Sequence, residues 1–243
     1  METNNFDSYQ TPTEIQSVSA EVMSKTFMAK VFTWMCTGLM VTGLLAYLFG
    51  NIPNLKEMLY TPTGLTGLAY FVMFAPFGLV LLINFAVNKL SYPAMVGVFL
   101  LFSAMLGMSL SSIFIVYTST SIFSIFFITA AMFGGMAVLG YTTSTDLTRL
   151  GSMLYMLLFG VIIASVVNMF IGSSSFNYMI SFICVAIFTG LTAYDVQKIK
   201  QIGANMSGDN ATVGKSSIFG ALSLYLDFIN LFLALLRIFG NRR

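Results

Sequence analysis

Long apolar runs separated by short polar breaks dominate the pattern of residues along this chain. A helix that crosses a membrane needs about 20 mainly apolar residues. The runs that meet this length give seven predicted spans, at 27–49, 65–87, 93–117, 121–141, 152–172, 177–197 and 217–239. The pattern therefore predicts seven transmembrane helices.

The polar breaks predict how these spans are connected. The first break, from Asn51 to Thr63, contains two prolines and is typical of a loop, and the longest loop is expected at 198–216. Pro76 lies inside the second span and predicts a kink, which membrane helices tolerate. Residues 1–24 form a predicted polar cytoplasmic tail, and residues 25–240 form the membrane domain.

Composition supports the membrane assignment and excludes several other classes. Hydrophobic residues make up 57% of the chain and charged residues 8%, whereas a soluble domain is about 25% charged. Cys36 and Cys184 lie inside apolar runs, which argues against a disulfide framework. Histidine is absent, which excludes a Ser-His-Asp triad and imidazole-dependent zinc sites. A net charge of +2 with scattered basic residues argues against a nucleic-acid partner.

The distribution of basic residues predicts the orientation, because positive loops stay in the cytoplasm. The side that holds the N-terminus carries most of them: Lys25, Lys30, Lys89, Arg149, Lys198, Lys200 and Lys215. The opposite side carries Lys56, Arg242 and Arg243. The N-terminus is therefore predicted to be cytoplasmic, although the two C-terminal arginines count against an outside C-terminus.

Two acidic residues fall in or next to the last two spans, where charge is expensive. Asp195 closely follows the apolar run of the sixth span, and Asp227 lies near the middle of the seventh. A carboxylate at the centre of a membrane helix costs about 2.5–3.5 kcal/mol and usually marks an ion or proton pathway. Asn84 and Asn168 are weaker candidates, since amides in membrane helices more often link helices.

Helical projection places a polar stripe on the seventh span. At 100° per residue, Ser223, Asp227, Asn230 and Arg237 share one face with small residues. Such a face should turn toward protein or water, because lipid would leave its polar groups unpaired. The alternative is that these groups only hold helices together.

The two aspartates are predicted to meet in the cytoplasmic half of the membrane. Asp195 lies near the cytoplasmic end of the sixth span, and Asp227 lies about ten residues into the seventh, which starts on that side. If they meet, both cannot ionise cheaply, so the pair should share a proton. The alternative is a surface pair between Asp195 and Lys198.

Two segments resemble the signature of the Bax inhibitor-1 family. The first is ALSLYLDFINLFLALLRIFG at residues 221–240, and the second is AYDVQKI at residues 193–199. Residues 145–150 also fit, and the helix layout matches over about 25–240. The chain resembles a bacterial member, which implies residence in the inner (cell) membrane.

The resemblance implies an all-α fold, with six helices in two three-helix layers around a central last helix. It also implies a pH-sensitive calcium leak, in which Asp195 and Asp227 match the family's hydrogen-bonded aspartate pair. Some bacterial relatives pair the sixth-helix aspartate with an arginine at the end of the second helix. This chain has no arginine there, so Lys89 or Asn88 is the candidate latch.

The expected function is a pH-sensitive calcium leak channel rather than an enzyme. Asp195 and Asp227 would sense pH and bind calcium transiently, with Asn230, Arg237 and Ser223 lining or supporting the pathway. No tightly bound cofactor is expected, and the partners are the bilayer and the transported calcium ions.

Two alternatives to the leak channel remain. The first is a regulatory protein that modulates a membrane-bound protease, as some bacterial relatives do. The second is an intramembrane aspartyl protease, whose Tyr-Asp half is matched by Tyr194-Asp195. Its second half, Gly-x-Gly-Asp, is absent around Asp227.

Overall fold

The computed structural model describes residues 12–62, 64–86, 89–206 and 210–243, and it is almost entirely helical in those ranges. The helices and strands, in chain order, are α1 Pro12–Asn51, α2 Pro53–Leu59, β1 Tyr60–Thr61, β2 Gly64–Leu65, α3 Gly67–Ala86, α4 Tyr92–Leu110, α5 Ile113–Val116, α6 Ser119–Thr142, α7 Thr148–Ile171, α8 Ser174–Ala204 and α9 Asn210–Phe239.

Among the described residues, seven helices are long and apolar enough to cross a membrane, namely α1, α3, α4 with α5, α6, α7, α8 and α9. The prediction of an all-α membrane protein with seven spans is confirmed. We call the side of the bundle where α1 begins the N-side, and the side where α9 ends the C-side.

Several helices extend beyond the apolar runs that predicted them. α1 begins at Pro12, inside the segment expected as a polar tail, and α8 continues to Ala204 while α9 begins at Asn210. The expected loop 198–216 is therefore reduced to a short connection. Hydropathy marks only the lipid-crossing part of a helix, whereas backbone hydrogen bonds continue it into water. The first break is likewise not a plain loop, since it contains α2 and β1, and β1 pairs with β2 directly after the break.

The centre of the bundle is α9, which packs against α1, α4, α6 and α8. It is also the most enclosed of the seven spans, as expected for a central last helix. α3 packs mainly on α4, and α7 packs mainly on α8. Both therefore form the outer part of the bundle.

Tyr225 anchors α9 in the core. Its ring is fully buried and packs edge to face against Phe99 and Phe102 of α4. Its hydroxyl lies 2.6 Å from Oγ1 of Thr42 in α1, which in turn donates to the carbonyl of Ser103 at 2.8 Å. A buried tyrosine hydroxyl needs such a partner, and this one fixes α9 relative to α1 and α4.

The turn between α7 and α8 is closed by three local interactions. Gly172 adopts a left-handed conformation with φ of 71° and ends α7, where the absence of a side chain is favourable. Ser173 caps α8 by accepting from the amide of Phe176. Asn168 is buried and donates to the carbonyl of Ser173 while accepting from its amide. Asn168 is thus held by this turn.

Candidate functional site

Asp195 lies on the part of α8 that is enclosed from several directions. α8 packs against α1, α6, α7 and α9, and the Asp195 side chain is only 3% exposed. It is nine residues from the N-side end of α8, or about 14 Å along the axis. Asp195 is therefore inside the bundle, in the half nearer the N-side.

Two glycines allow neighbouring helices to approach this stretch of α8. A Cβ at Gly140 in α6 would collide with the backbone of Ala193, and a Cβ at Gly151 in α7 would collide with the ring of Tyr194. Small residues permit such close contact between membrane helices. α6 and α7 therefore pack directly against Ala193 and Tyr194, the two residues before Asp195.

Two hydroxyl groups donate hydrogen bonds to Asp195. The hydroxyl of Ser223 in α9 donates to Oδ2 at 2.7 Å, and the hydroxyl of Tyr155 in α7 donates to Oδ1 at 3.2 Å. Hydrogen bonds to an ionised acceptor are stronger than neutral ones. The two donors stabilise the charged form of Asp195, and burial opposes it.

Asp227 reaches Asp195 from the central helix. Its side chain is 6% exposed, and its carboxyl group lies close enough to that of Asp195 for the two to interact electrostatically. Two carboxyl groups can form a hydrogen bond only when one of them carries a proton. A hydrogen bond between them would therefore need a shared proton, and Asp195 is the one of the two that also accepts from two hydroxyl donors.

One oxygen of this pair is left without a partner. Oδ2 of Asp227 is buried and makes no hydrogen bond, and the same is true of the hydroxyl of Thr189 in α8. Thr189 is six residues from Asp195 toward the C-side, or about 9 Å along the helix. Buried oxygens without partners are uncommon and call for an explanation such as water or an ion.

Lys198 does not form the surface pair that was the alternative for Asp195. Its ammonium attracts Asp195 electrostatically, but no ion pair between them occurs in the described structure. Instead, Nζ of Lys198 lies 5.9 Å from the centroid of the Tyr194 ring, and the side chain is exposed. The side chains that hydrogen-bond Asp195 are instead those of Ser223 and Tyr155.

The remaining residues of the predicted site are spread along α9. Ser223 is half-buried and in direct contact with Asp195, whereas Asn230 is half-buried one turn beyond Asp227. Arg237 is exposed and lies at the C-side end of the helix. The structure thus groups Ser223 with the aspartates and places Arg237 elsewhere.

Of the two latch candidates, the structure describes only Lys89. Lys89 is exposed between α3 and α4 and is not among the groups that act on Asp195. Asn88 lies outside the described residues. The latch remains a prediction without a contact to support it.

Tyr155 is the site residue that the sequence analysis missed. Its hydroxyl bonds Asp195, and its ring packs edge to face on Tyr194 at 6.1 Å between centroids. Tyr155 is four residues after Gly151, so both lie on the α7 face that meets α8. A glycine followed by a tyrosine at this spacing, in a span with few polar groups, was the available signal.

Comparison with known proteins agrees with this architecture. Residues 24–243 match the profile of the family described as "Inhibitor of apoptosis-promoting Bax1". The chain is 47% identical over 221 residues to the inner membrane protein YbhL of Escherichia coli strain K12, covering 90% of this chain and 93% of that one. It is also 47% identical over 218 residues to an uncharacterised protein of Borreliella burgdorferi, covering 89% and 92%.

The fold and the site define a multi-pass integral membrane protein with a buried carboxyl pair beside its central helix. The match extends over nearly the whole membrane domain, and the relatives are nearly the same length. The chain belongs to the Bax inhibitor-1 family, as the two sequence segments indicated.

Proposed function

We propose that this protein conducts calcium across the membrane as a pH-sensitive leak, with Asp195 and Asp227 as its gate. The observation that carries the proposal is the contact between these two buried carboxyl groups, on the two most enclosed helices of a Bax inhibitor-1 family member. Calcium binds to oxygen ligands, and carboxylates are its strongest protein ligands.

The gate works through the shared proton. While the proton is present, Asp227 and Asp195 hold α9 and α8 together, and Ser223 adds a second link. When the proton leaves, two unit charges 4 Å apart repel by about 4 kcal/mol at an effective dielectric constant of 20. This exceeds the roughly 1.5–3 kcal/mol of a hydrogen bond to a charged group, so the helices must separate or a cation must enter.

Calcium is suited to replace the proton because it neutralises both carboxylates. The buried oxygen of Asp227 that makes no hydrogen bond offers a further ligand within the pair, and Asn230 lies one turn away. No group of three or more acidic, histidine or cysteine side chains able to hold a metal occurs in the described residues. Two carboxylates with neutral oxygens favour brief binding and release over storage.

Orientation and location follow from the same reasoning. The basic residues concentrated on the N-side favour a cytoplasmic N-terminus, which puts the aspartate pair in the cytoplasmic half. The related Escherichia coli protein is named an inner membrane protein. We therefore place this chain in the inner membrane of a bacterium, where the pair would respond to cytoplasmic pH.

The proposal is tested by calcium flux into liposomes that contain the purified full-length protein and a trapped calcium indicator. We expect wild-type protein to admit calcium faster than protein-free liposomes, at a rate that changes between pH 6 and 8. Flux equal to that of protein-free liposomes at every pH would contradict a leak. Loss of a cellular effect on removal of residues 1–24, with the aspartates dispensable, would then favour the regulatory alternative.

A further inference from the structure

A cavity of about 590 Å³ with both polar and apolar walls opens on the C-side of the bundle, far from the aspartate pair. It lies between the end of α7, the beginning of α8 and the end of α9. Its walls carry two arginines, Arg237 and Arg242, together with the amide of Asn177 and the phenol of Tyr178. None of the residues that line it is acidic.

The backbone holds Arg242 at the rim of this cavity. The C-terminal segment runs antiparallel to the residues before α6, where Tyr117 and Arg242 form a bridge. The amide of Thr118 donates to the carbonyl of Asn241 at 3.0 Å, and the amide of Arg243 donates to the carbonyl of Val116 at 3.0 Å. These bonds are made by backbone atoms, and none of them uses the Arg242 side chain.

No acidic side chain of the described residues lines the cavity that holds the two guanidinium groups. No ion pair involves either arginine in the part of the chain that the structure describes. Glu57, in α2, is the acidic residue of the described C-side, and it does not line the cavity. Two like charges in one cavity repel, and the repulsion is relieved when an anion lies between them. Guanidinium groups bind phosphate through paired parallel hydrogen bonds.

The surroundings of the cavity fit a lipid. Met169 in its wall and the adjacent Phe170 are 74% and 82% exposed, so an apolar outer surface of α7 leads directly to the polar opening. Tyr178 at the rim is 49% exposed, and tyrosine is enriched at the level of lipid headgroups. An acyl chain would lie along α7 while its headgroup occupies the cavity.

We propose that this cavity binds the phosphate group of an anionic phospholipid in the C-side leaflet, with Arg237 and Arg242 as its principal ligands. The occupant is recognised by a phosphate with net negative charge next to apolar chains. Asn177 and Tyr178 supply neutral donors for the rest of the headgroup. The proposal is independent of calcium conduction, since it uses no residue of the aspartate pair.

The test is thermal unfolding of the purified full-length protein in detergent with added phosphatidylglycerol, diacylglycerol or glycerol phosphate. Wild type should be stabilised by phosphatidylglycerol in a saturable manner, by roughly 5–10 °C at about 100 times the dissociation constant. Diacylglycerol should give no such stabilisation. The double variant Arg237→Gln/Arg242→Gln should lose the response, and Arg149→Gln, at an exposed arginine on the N-side, should keep it.

A further double variant guards against misfolding. Arg237→Lys/Arg242→Lys retains the charges but not the paired hydrogen bonds, and it should respond more weakly than wild type. Equal stabilisation of wild type and the glutamine double variant, or no stabilisation of wild type, would overturn the proposal. Stabilisation by glycerol phosphate equal to that by phosphatidylglycerol would overturn the lipid as the source and assign the cavity to a soluble phosphate.

Discussion

The hydroxyl of Ser223 donates a 2.7 Å hydrogen bond to Oδ2 of Asp195, across the interface between α9 and α8. Ser223 is four residues before Asp227, so both side chains project from the same face of α9. Asp195 therefore interacts with two groups of the central helix. The Ser223 hydroxyl keeps its proton, whereas the Asp227 carboxyl can lose one. Only the second interaction depends on pH.

Replacement of Ser223 should shift the pH response of calcium flux. In Ser223→Ala, Asp195 loses a donor that stabilises its charged form, so the proton of the pair is released only at higher pH. We expect the midpoint of the flux profile to rise by up to about one pH unit. Ser217→Ala is the matched control, because the Ser217 hydroxyl on the same helix bonds locally to the carbonyl of Gly214. An equal shift in both variants would refute the role of Ser223.

Tyr155→Phe should shift the same midpoint in the same direction but by less. Its bond to Asp195 is 3.2 Å long, against 2.7 Å for the bond from Ser223, so the donor that is lost is the weaker of the two. Flux profiles of Tyr155→Phe and of Tyr47→Phe, a similarly exposed tyrosine in α1, provide the comparison. An unchanged midpoint in Tyr155→Phe, or an equal shift in both variants, would contradict a role for the contact with Asp195.

The close approach of α6 to α8 predicts a loss of stability on adding a single methyl group. In Gly140→Ala the new Cβ meets the backbone of Ala193, which cannot move without displacing the helix. We expect a cost of about 1–3 kcal/mol, as for overpacked interiors. Gly135→Ala, on the same helix with open space around it, should change stability little. Thermal unfolding in detergent measures both, and equal midpoints would contradict the described packing.

Asp146 predicts a pH-dependent contribution to stability outside the membrane spans. Its Oδ1 accepts from the Thr148 hydroxyl at 2.6 Å and the Thr148 amide at 2.9 Å, and these bonds lower the pKa of the Asp146 carboxyl. A pKa lowered by folding stabilises the folded state above the ordinary value of about 3.9 and stops doing so as pH falls through the folded value.

Asp146→Ala should therefore unfold at a lower temperature than wild type at pH 7, and the difference should shrink as pH falls below about 4. Glu57→Ala, at an exposed acid in α2, is the control for removing a surface charge. Thermal unfolding at several pH values measures the effect. A difference that stays constant down to pH 3 would contradict the assigned hydrogen bonds.

Much of the fold could be predicted from the sequence, because a helix that crosses a membrane needs about 20 mainly apolar residues. Runs of apolar residues identified all seven spans, and the polar stripe on the last span identified α9 as the enclosed helix. The helix ends could not be predicted in the same way. The extensions of α8 to Ala204 and of α1 back to Pro12 lie beyond the apolar runs, and backbone hydrogen bonds set them.

Residues of the candidate site could be predicted where burying their side chains in the membrane has a high free-energy cost. Asp195 and Asp227 stood out because charge in a membrane helix is expensive, and both side chains are buried and interact electrostatically. Tyr155 and the two glycines did not stand out, because tyrosine and glycine are common in membrane helices and their role depends on which helices are neighbours. The position of Arg242 in the cavity wall depends on backbone pairing between two segments that are distant in sequence. No local sequence pattern shows such pairing.

The central claim is that one shared proton between Asp195 and Asp227 controls calcium passage. Its most direct test is the pH profile of calcium flux between about pH 6 and 8, in liposomes containing wild type, Asp195→Asn or Asp227→Asn at matched protein content. The account predicts that wild-type flux changes with pH. Each variant keeps only one ionisable carboxyl of the pair, so its flux should lose the pH dependence or show it at a different pH. Wild-type flux without pH dependence, or both variants with the wild-type profile, would contradict the account.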